Sequence, residues 1–369
     1  MIPPLFHGRH SALYLSLCLS LVPWSPAAAQ EIKVLGTGAT FPAKVYIQWA
    51  EDYTRQGGSP VTYQPVGSSA GVKAIEERQV DFGATDVPLS ASELDKRGLV
   101  QFPTLVGGIV PFVNLPGVGP GELRLDATTL ARLWAGAIDR WNDPAIRALN
   151  PSLKLPNLPV IRVVRSDGSG TTTVFVDYLR TAAPAEASVI IPDRGRAKWP
   201  GSTETVEGSS KLVAAVKARS GAIGYASSDY VIRDGLSGVT LLNRHGEFVK
   251  PDLPAFRAAI LAGGLFKHHL EPTSLLNLDG LGVWPIVTAT YILVPREPES
   301  RERASETLNF FYQSFLRGDR AVAGTGFSPL PIATQARIVR LLSSFKTPSG
   351  ERIHIVGASG RSDMAASRP

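Results

Sequence analysis

The chain has 369 residues, 44% of them hydrophobic and 19% charged, and carries a net charge of +6. It is about twice the ~150 residues typical of one domain, so two domains with sizeable cores are expected, and neither a disordered nor a collagen-like chain fits. Lys and Arg are spread along the sequence without a dense basic run, which favours small anionic partners and argues against nucleic acid.

The amino terminus reads as a secretion signal over residues 1–29. His7, Arg9 and His10 precede the apolar stretch "ALYLSLCLSLV", and "SPAAAQ" supplies the small residues for a cut after Ala29. The mature protein is expected to be exported to the periplasm. No later segment approaches the ~20 apolar residues needed to cross a bilayer. Cys18, the only cysteine, lies inside this signal, and Leu17 is too bulky for a lipidation site there. The mature chain therefore offers no thiol chemistry, disulfide or cysteine metal site. No HExxH or clustered His/carboxylate pattern supports a metal either, and no cofactor is expected.

Short apolar runs then alternate with helical patterns. "EIKVLG" reads as a strand, and "PAKVYIQWAEDYTRQ" as a helix with Val45, Trp49 and Tyr53 on one face. The strand "VTYQPV", the helix "SAGVKAIEERQ", the strand "VDFGATD" and the helix "SASELDKRG" continue the rhythm. Such alternation predicts an α/β fold with a mostly parallel sheet and ligands at the carboxyl ends of its strands. A second set runs from "ATTLARLWAG" through the strand "PVIRVVR", a helix starting at Thr171, and "VAAVKARSGAIGYAS".

Two long apolar runs, Phe102 to Pro116 and Trp284 to Pro295, are each long enough to pass from one sheet into another. They predict a discontinuous first domain of residues 30–107 and 285–346 and an inserted second domain of residues 108–284, joined by a hinge. The helix bearing Ala304, Leu308, Phe311 and Phe315 is expected to pack on the first domain. Residues 347–369 are polar and read as a loose tail.

Three strand-to-helix turns concentrate small donors: "GTGATFP", "VGSSAGV" and "RSDGSGTT". Helix N-termini leave backbone N–H groups free and favour negative charge, so each turn is suited to an anion, although Ser, Thr and Gly also serve as ordinary helix caps. "GTGATF" has Phe41 where a dinucleotide fingerprint needs a third glycine, and nothing matches a P-loop. "GSSAG", residues 67–71, does match the nucleophile-elbow pattern with Ser69 as nucleophile, which makes a secreted serine hydrolase the alternative function. Of the histidines that follow Ser69, none of His245, His268, His269 and His354 sits in an evident catalytic motif.

These turns, together with "QFPTLVGGIVPFVNLPG", "LARLWAGAIDRWNDPAIRALNP", "GAIGYA", "WPIVTATYIL" and "SPLP", carry a resemblance. From about Glu31 to about Lys346 the chain resembles the periplasmic phosphate-binding protein of the high-affinity phosphate ABC transporter. The resemblance implies a type II periplasmic-binding fold, with two hinge-linked lobes that close over one phosphate and hand it to membrane permease subunits without chemistry. It implies a monomer. It also places phosphate ligands at Thr40, Phe41, Ser68 and Asp86 in one lobe and at Arg165, Ser169, Gly170 and Thr171 in the other, with Phe41 and Gly170 acting through backbone N–H groups. Ala70, Thr85 and Ser166 depart from residues common in the family, and none of them removes a ligand.

The residues themselves explain this set. Arg165 can form two parallel bonds to an oxyanion, while Asp167 could hold the guanidinium in place; a plain surface ion pair is the alternative. Asp86 repels any anion that has no proton to give it. Phosphate near neutral pH keeps a proton and sulfate does not. A helix cap for the segment after Asp86 is the alternative role.

Overall fold

The computed structural model describes Met1, residues 32–264 and residues 272–355. The secretion signal with its cut after Ala29, Cys18, His268, His269 and the chain beyond residue 355 lie outside the described residues.

The first six elements follow the predicted order: β1 (Val34–Gly38), α1 (Ala43–Arg55), β2 (Val61–Gln64), α2 (Ser68–Glu76), β3 (Phe82–Thr85) and α3 (Ala91–Arg97). The first apolar run forms β4 (Leu99–Asn114), and α4 (Ala127–Trp134), β5 (Ile161–Arg165) and α5 (Gly170–Ala182) come next. A hairpin of β6 (Ile191–Asp193) and β7 (Arg196–Lys198) leads to β8 (Glu204–Val206), α6 (Gly208–Ala218), β9 (Ala222–Ser227) and α7 (Ser228–Arg233). The second apolar run is β10 (Ile286–Pro295), followed by α8 (Arg301–Arg317).

Among the described residues the main sheet runs β2, β1, β3, β10, β4, β9, β5, β8. β1 is parallel to β2 and β3, and β5 is parallel to β8 and β9. The centre is antiparallel, because the outgoing β4 and the returning β10 run in opposite directions. β4 changes partner along its length. Leu99–Gly108 pairs with β10, and Ile109–Asn114 pairs with β9, so one strand belongs to both lobes of a two-lobed fold.

Each lobe closes on aromatic rings. In the first, α8 buries Leu308, Phe311 and Phe315 as its spacing predicts, and Phe310 as well. Phe82 lies between Tyr63, stacked at 5.9 Å, and Phe311, edge-on at 5.0 Å. In the second, Phe175 stacks on Tyr225 at 4.6 Å with Trp134 edge-on to both. Burying such a ring is worth roughly 1.5–3 kcal/mol, and these rings fix the strand ends that carry the site.

The stretch after Lys346 is less loose than its composition suggests. Lys346 pairs with Arg352, Ile353 and Ile355 are buried, and Ser305 on α8 donates to the His354 carbonyl at 2.6 Å. Two isoleucines two positions apart put both side chains on one face of an extended segment, which anchors residues 347–355 despite their polar neighbours.

Candidate anion-binding site

Four chain turns from the two lobes meet at the carboxyl ends of β1, β2, β3 and β5. After β1, Thr40 is buried and Phe41 turns its ring into the core, edge-on to Phe327 at 5.0 Å. That packing fixes the Phe41 backbone while leaving its side chain out of any polar contact. After β2, Gly67 adopts φ 107 and acts as N-cap of α2, a left-handed backbone that glycine tolerates best. The buried Ser68 thus opens α2, and its Oγ accepts the backbone N–H of Asp86 at 3.3 Å.

Asp86, at the end of β3, is 1% exposed. Its Oδ1 accepts from Thr290 at 2.8 Å and its Oδ2 from Thr171 at 3.2 Å, while its carbonyl accepts from Thr288 at 3.1 Å. Burial pushes its carboxyl up to about 7, against the downward pull of the two hydroxyl bonds and the Arg165 charge. The helix-cap alternative fails. Ser90 caps α3, in a reciprocal capping box with Glu93.

Arg165, at the end of β5, is buried, so the surface-pair alternative fails too. Its Nε donates to Asp167 Oδ1 at 2.6 Å and its Nη2 to Oδ2, a two-pronged pairing that fixes the guanidinium plane. The two parallel bonds expected to an oxyanion thus go to Asp167 instead, and one Nη2 hydrogen remains for an anion. Burial alone would raise the Asp167 carboxyl, but the bonds and charge of Arg165 and the Gly208 N–H outweigh it and hold it below the usual range. Arg165 Nη1 crosses to the other lobe, donating to Thr40 Oγ1 at 2.9 Å.

α5 begins one residue earlier than expected, at Gly170, with Ser169 as N-cap accepting the Thr172 N–H at 3.1 Å. A Cβ on Gly170 would lie 2.5 Å from Ser68 Oγ and 2.9 Å from Asp86 Cβ. Only glycine permits that approach, and the described lobes are accordingly drawn together. Six of the eight expected residues thus meet across the lobes: Thr40 contacts Arg165, Thr171 contacts Asp86, and Gly170 lies against Ser68, while Phe41 and Ser169 are the chain neighbours of Thr40 and Gly170.

Sequence reasoning missed Ser209, Thr288 and Thr290. Ser209 Oγ accepts from Arg165 Nη1 at 3.0 Å and bonds Thr40 Oγ1 at 2.7 Å. Its signal was present, because "GSS" occurs at residues 208–210 as well as 67–69, each time opening a helix. The two threonines stand two apart in an otherwise apolar strand, which puts both on the same face.

The serine hydrolase alternative is overturned. Ser69 lies inside α2, and its Oγ donates to the Arg194 carbonyl at 3.3 Å. The strained backbone of an elbow is missing, since the non-glycine residues with positive φ among those described are Arg78, Arg194 and Asn277. His245 is engaged with Asp279 at 3.1 Å on the surface. No triad is assembled at Ser69 among the described residues.

Two lobes sharing a crossing strand and closing on a set of anion donors define a solute-binding protein of the periplasmic type. A family model described as PBP superfamily domain matches residues 24–314. The phosphate-binding protein PstS of Xylella fastidiosa (strain Temecula1) is 36% identical over 312 residues, 85% of each chain. PstS of Haemophilus influenzae is 36% identical over 318 residues, 86% of this chain and 93% of its own. The chain belongs to the PstS family of phosphate-binding proteins. Its fold is similar to that of a high affinity periplasmic phosphate-binding protein, PfluDING, bound with phosphate (TM-score 0.66, 20% identity, 88% of this chain and 97% of that one). It is also similar to a phosphate-binding protein from Stenotrophomonas maltophilia (TM-score 0.63, 20% identity, 84% of this chain and 93% of that one).

Proposed function

We propose that this protein captures inorganic phosphate between its lobes in the periplasm and delivers it to the membrane permease subunits of a phosphate ABC transporter, as a monomer and without chemistry. The secretion signal is removed after Ala29. The first lobe comprises residues 30–107 and 285–346, and the second residues 108–284. Thr40, Ser68 and Ser169 supply hydroxyl donors, Thr171 turns its hydroxyl hydrogen from Asp86 Oδ2 to the ion, Phe41 and Gly170 supply backbone N–H groups, and Arg165 supplies the compensating charge.

Asp86 is the observation that carries this reading. A carboxylate buried among hydroxyls, an arginine and the N-terminus of α5 is costly unless a partner brings it a proton. Monohydrogen phosphate brings one, and sulfate meets the same carboxylate with a lone pair. The remaining groups are all donors, matched to the other oxygens of the ion.

Calorimetric titration of phosphate and sulfate into ligand-stripped protein tests the proposal. Saturable phosphate binding at one site, with sulfate at least about a hundredfold weaker, or roughly 2.7 kcal/mol, is expected. Absence of saturable phosphate binding, or equal affinity for both ions, would overturn it.

A further inference from the structure

The hydrogen bonds around Arg165 lead to a residue outside the expected ligand set. A guanidinium has five N–H donors. Nε and one Nη2 hydrogen go to Asp167, and the two Nη1 hydrogens go to Thr40 Oγ1 and Ser209 Oγ. Those two hydroxyls also bond each other at 2.7 Å, and both residues are buried. A triangle results, with corners on β5, on the turn after β1 and on the first turn of α6. Each hydroxyl already accepts from Arg165. In their mutual bond one of them must donate, so the pair has a single hydroxyl hydrogen left to offer elsewhere.

We infer that Ser209 is a positioning residue of the anion site, which donates to Thr40 and thereby aims the remaining Thr40 hydroxyl hydrogen at the bound anion. This rests on the phosphate-binding reading of the same site. Ser209 also ties the orientation of Arg165 to closure, because Thr40 and Ser209 come from opposite lobes and their bond exists only when the lobes meet. Gly208 assists the geometry. Its backbone N–H donates to Asp167 Oδ1 at 3.0 Å, so the start of α6 grips both the carboxylate that fixes Arg165 and the hydroxyl that Arg165 meets. Without the Ser209 hydroxyl, one Nη1 hydrogen loses its acceptor and Thr40 loses the donor that sets its rotor.

The test is a double-mutant cycle read by phosphate calorimetry on the full mature chain, using Ser209→Ala, Thr40→Val and the double variant, with thermal melting as a check on folding. Ser209→Ala is expected to weaken phosphate binding about tenfold in the wild-type background. In the Thr40→Val background the same change is expected to cost less than about threefold, because the residue acts through Thr40. A purely structural serine would cost the same in both backgrounds, and that outcome, or a loss below twofold in the wild-type background, would overturn the inference. If the Ser209→Ala variant melts early, Ser209→Thr, which keeps the hydroxyl, takes its place: phosphate affinity within about threefold of wild type is expected, and a loss of about tenfold or more with the hydroxyl still present would overturn the inference. Wild-type protein without phosphate affinity would instead remove the functional reading itself, a result distinguishable from any outcome of the cycle.

Discussion

Gly170 and Ser68 face each other across the lobes so closely that a β-carbon on the glycine would stand 2.5 Å from the serine oxygen. The hydroxyl could rotate away, but Asp86 Cβ at 2.9 Å and the Asp86 backbone N at 3.1 Å could not. Gly170→Ala is therefore expected to hold the lobes apart. Phosphate affinity should fall by at least about tenfold, roughly 1.4 kcal/mol, because a bridging ligand gains its contacts only in the closed state. Small-angle scattering should show phosphate-induced compaction in wild type and little in the variant. Equal compaction in both would show that the site tolerates a side chain there.

The raised carboxyl of Asp86 gives the protein a definite pH dependence. A group whose folded pKa is about 7 holds its proton in the native state while the unfolded chain has released it, so the native state binds more protons between pH 4 and 7. Stability should fall as pH rises through that window and level off above it, since every tenfold difference in proton affinity between the two states amounts to about 1.4 kcal/mol. Asp167, held low by Arg165, acts with the opposite sign at lower pH. Asp86→Asn isolates the first effect: in phosphate-free protein the variant should gain stability relative to wild type from pH 4 to pH 8, measured by denaturant unfolding. A difference independent of pH would contradict a raised carboxyl at this position.

Arg165 and Arg162 stand on the same strand and are both buried, yet their partners differ. Arg162 donates to the carbonyls of Trp134, Pro200 and Ser202 at 2.9, 2.7 and 2.9 Å, pinning a loop inside the second lobe. Arg165 faces the other lobe. Arg165→Ala should weaken phosphate binding by at least about thirtyfold, in line with ~2–5 kcal/mol for removing one partner of a buried charge contact. Arg162→Ala should chiefly lower the melting temperature. Titration and melting of both variants separate the two roles, and similar losses of affinity would contradict them.

Much of this was legible in the chain. The 3.6 and 2 periodicities gave the alternating elements, and the first long apolar run gave the strand that crosses between lobes. The second, β10, was expected to cross as well, but among the described residues it pairs only with β3, the Leu99–Gly108 part of β4 and Leu275–Leu276, so its length reflects burial within the first lobe. The antiparallel centre was not legible, since pairing direction depends on where the chain returns. Arg165 and Asp167 were visible as neighbours, but whether they are buried depends on lobe contact. Ser209 was harder still: its role comes from a bond to a residue 169 positions away, and "EGSSK" alone looks like any helix start. Thr288 and Thr290 were hidden by reading their strand as core.

Ser69 sits one residue from the site, and its side chain points to the Arg194 carbonyl, away from the proposed ligands. Ser69→Ala should leave phosphate affinity within about tenfold, roughly 1.4 kcal/mol, and neither form should hydrolyse simple esters. Serine-dependent ester turnover above background would reinstate the nucleophile.

In the proposed function Asp86 reads the proton on the ligand, and everything else about selectivity follows from it. Replacing it by Asn keeps the size of the side chain, removes the negative charge and puts an N–H donor where a lone pair stood. Phosphate loses a bond to the carboxylate but also escapes a like charge, so its own affinity can move little. Sulfate only gains. An unpaired lone-pair contact in a dry cleft costs at least about 1.4 kcal/mol, so the phosphate-to-sulfate affinity ratio should drop by about tenfold or more in Asp86→Asn. The measurement is a paired calorimetric titration of wild type and variant with both anions at fixed ionic strength and at about pH 8.5, above the raised pKa of Asp86, where the carboxyl is ionised and phosphate still carries one proton. A ratio that collapses toward unity is the predicted result, and an unchanged ratio would contradict the account by placing selectivity in some other group.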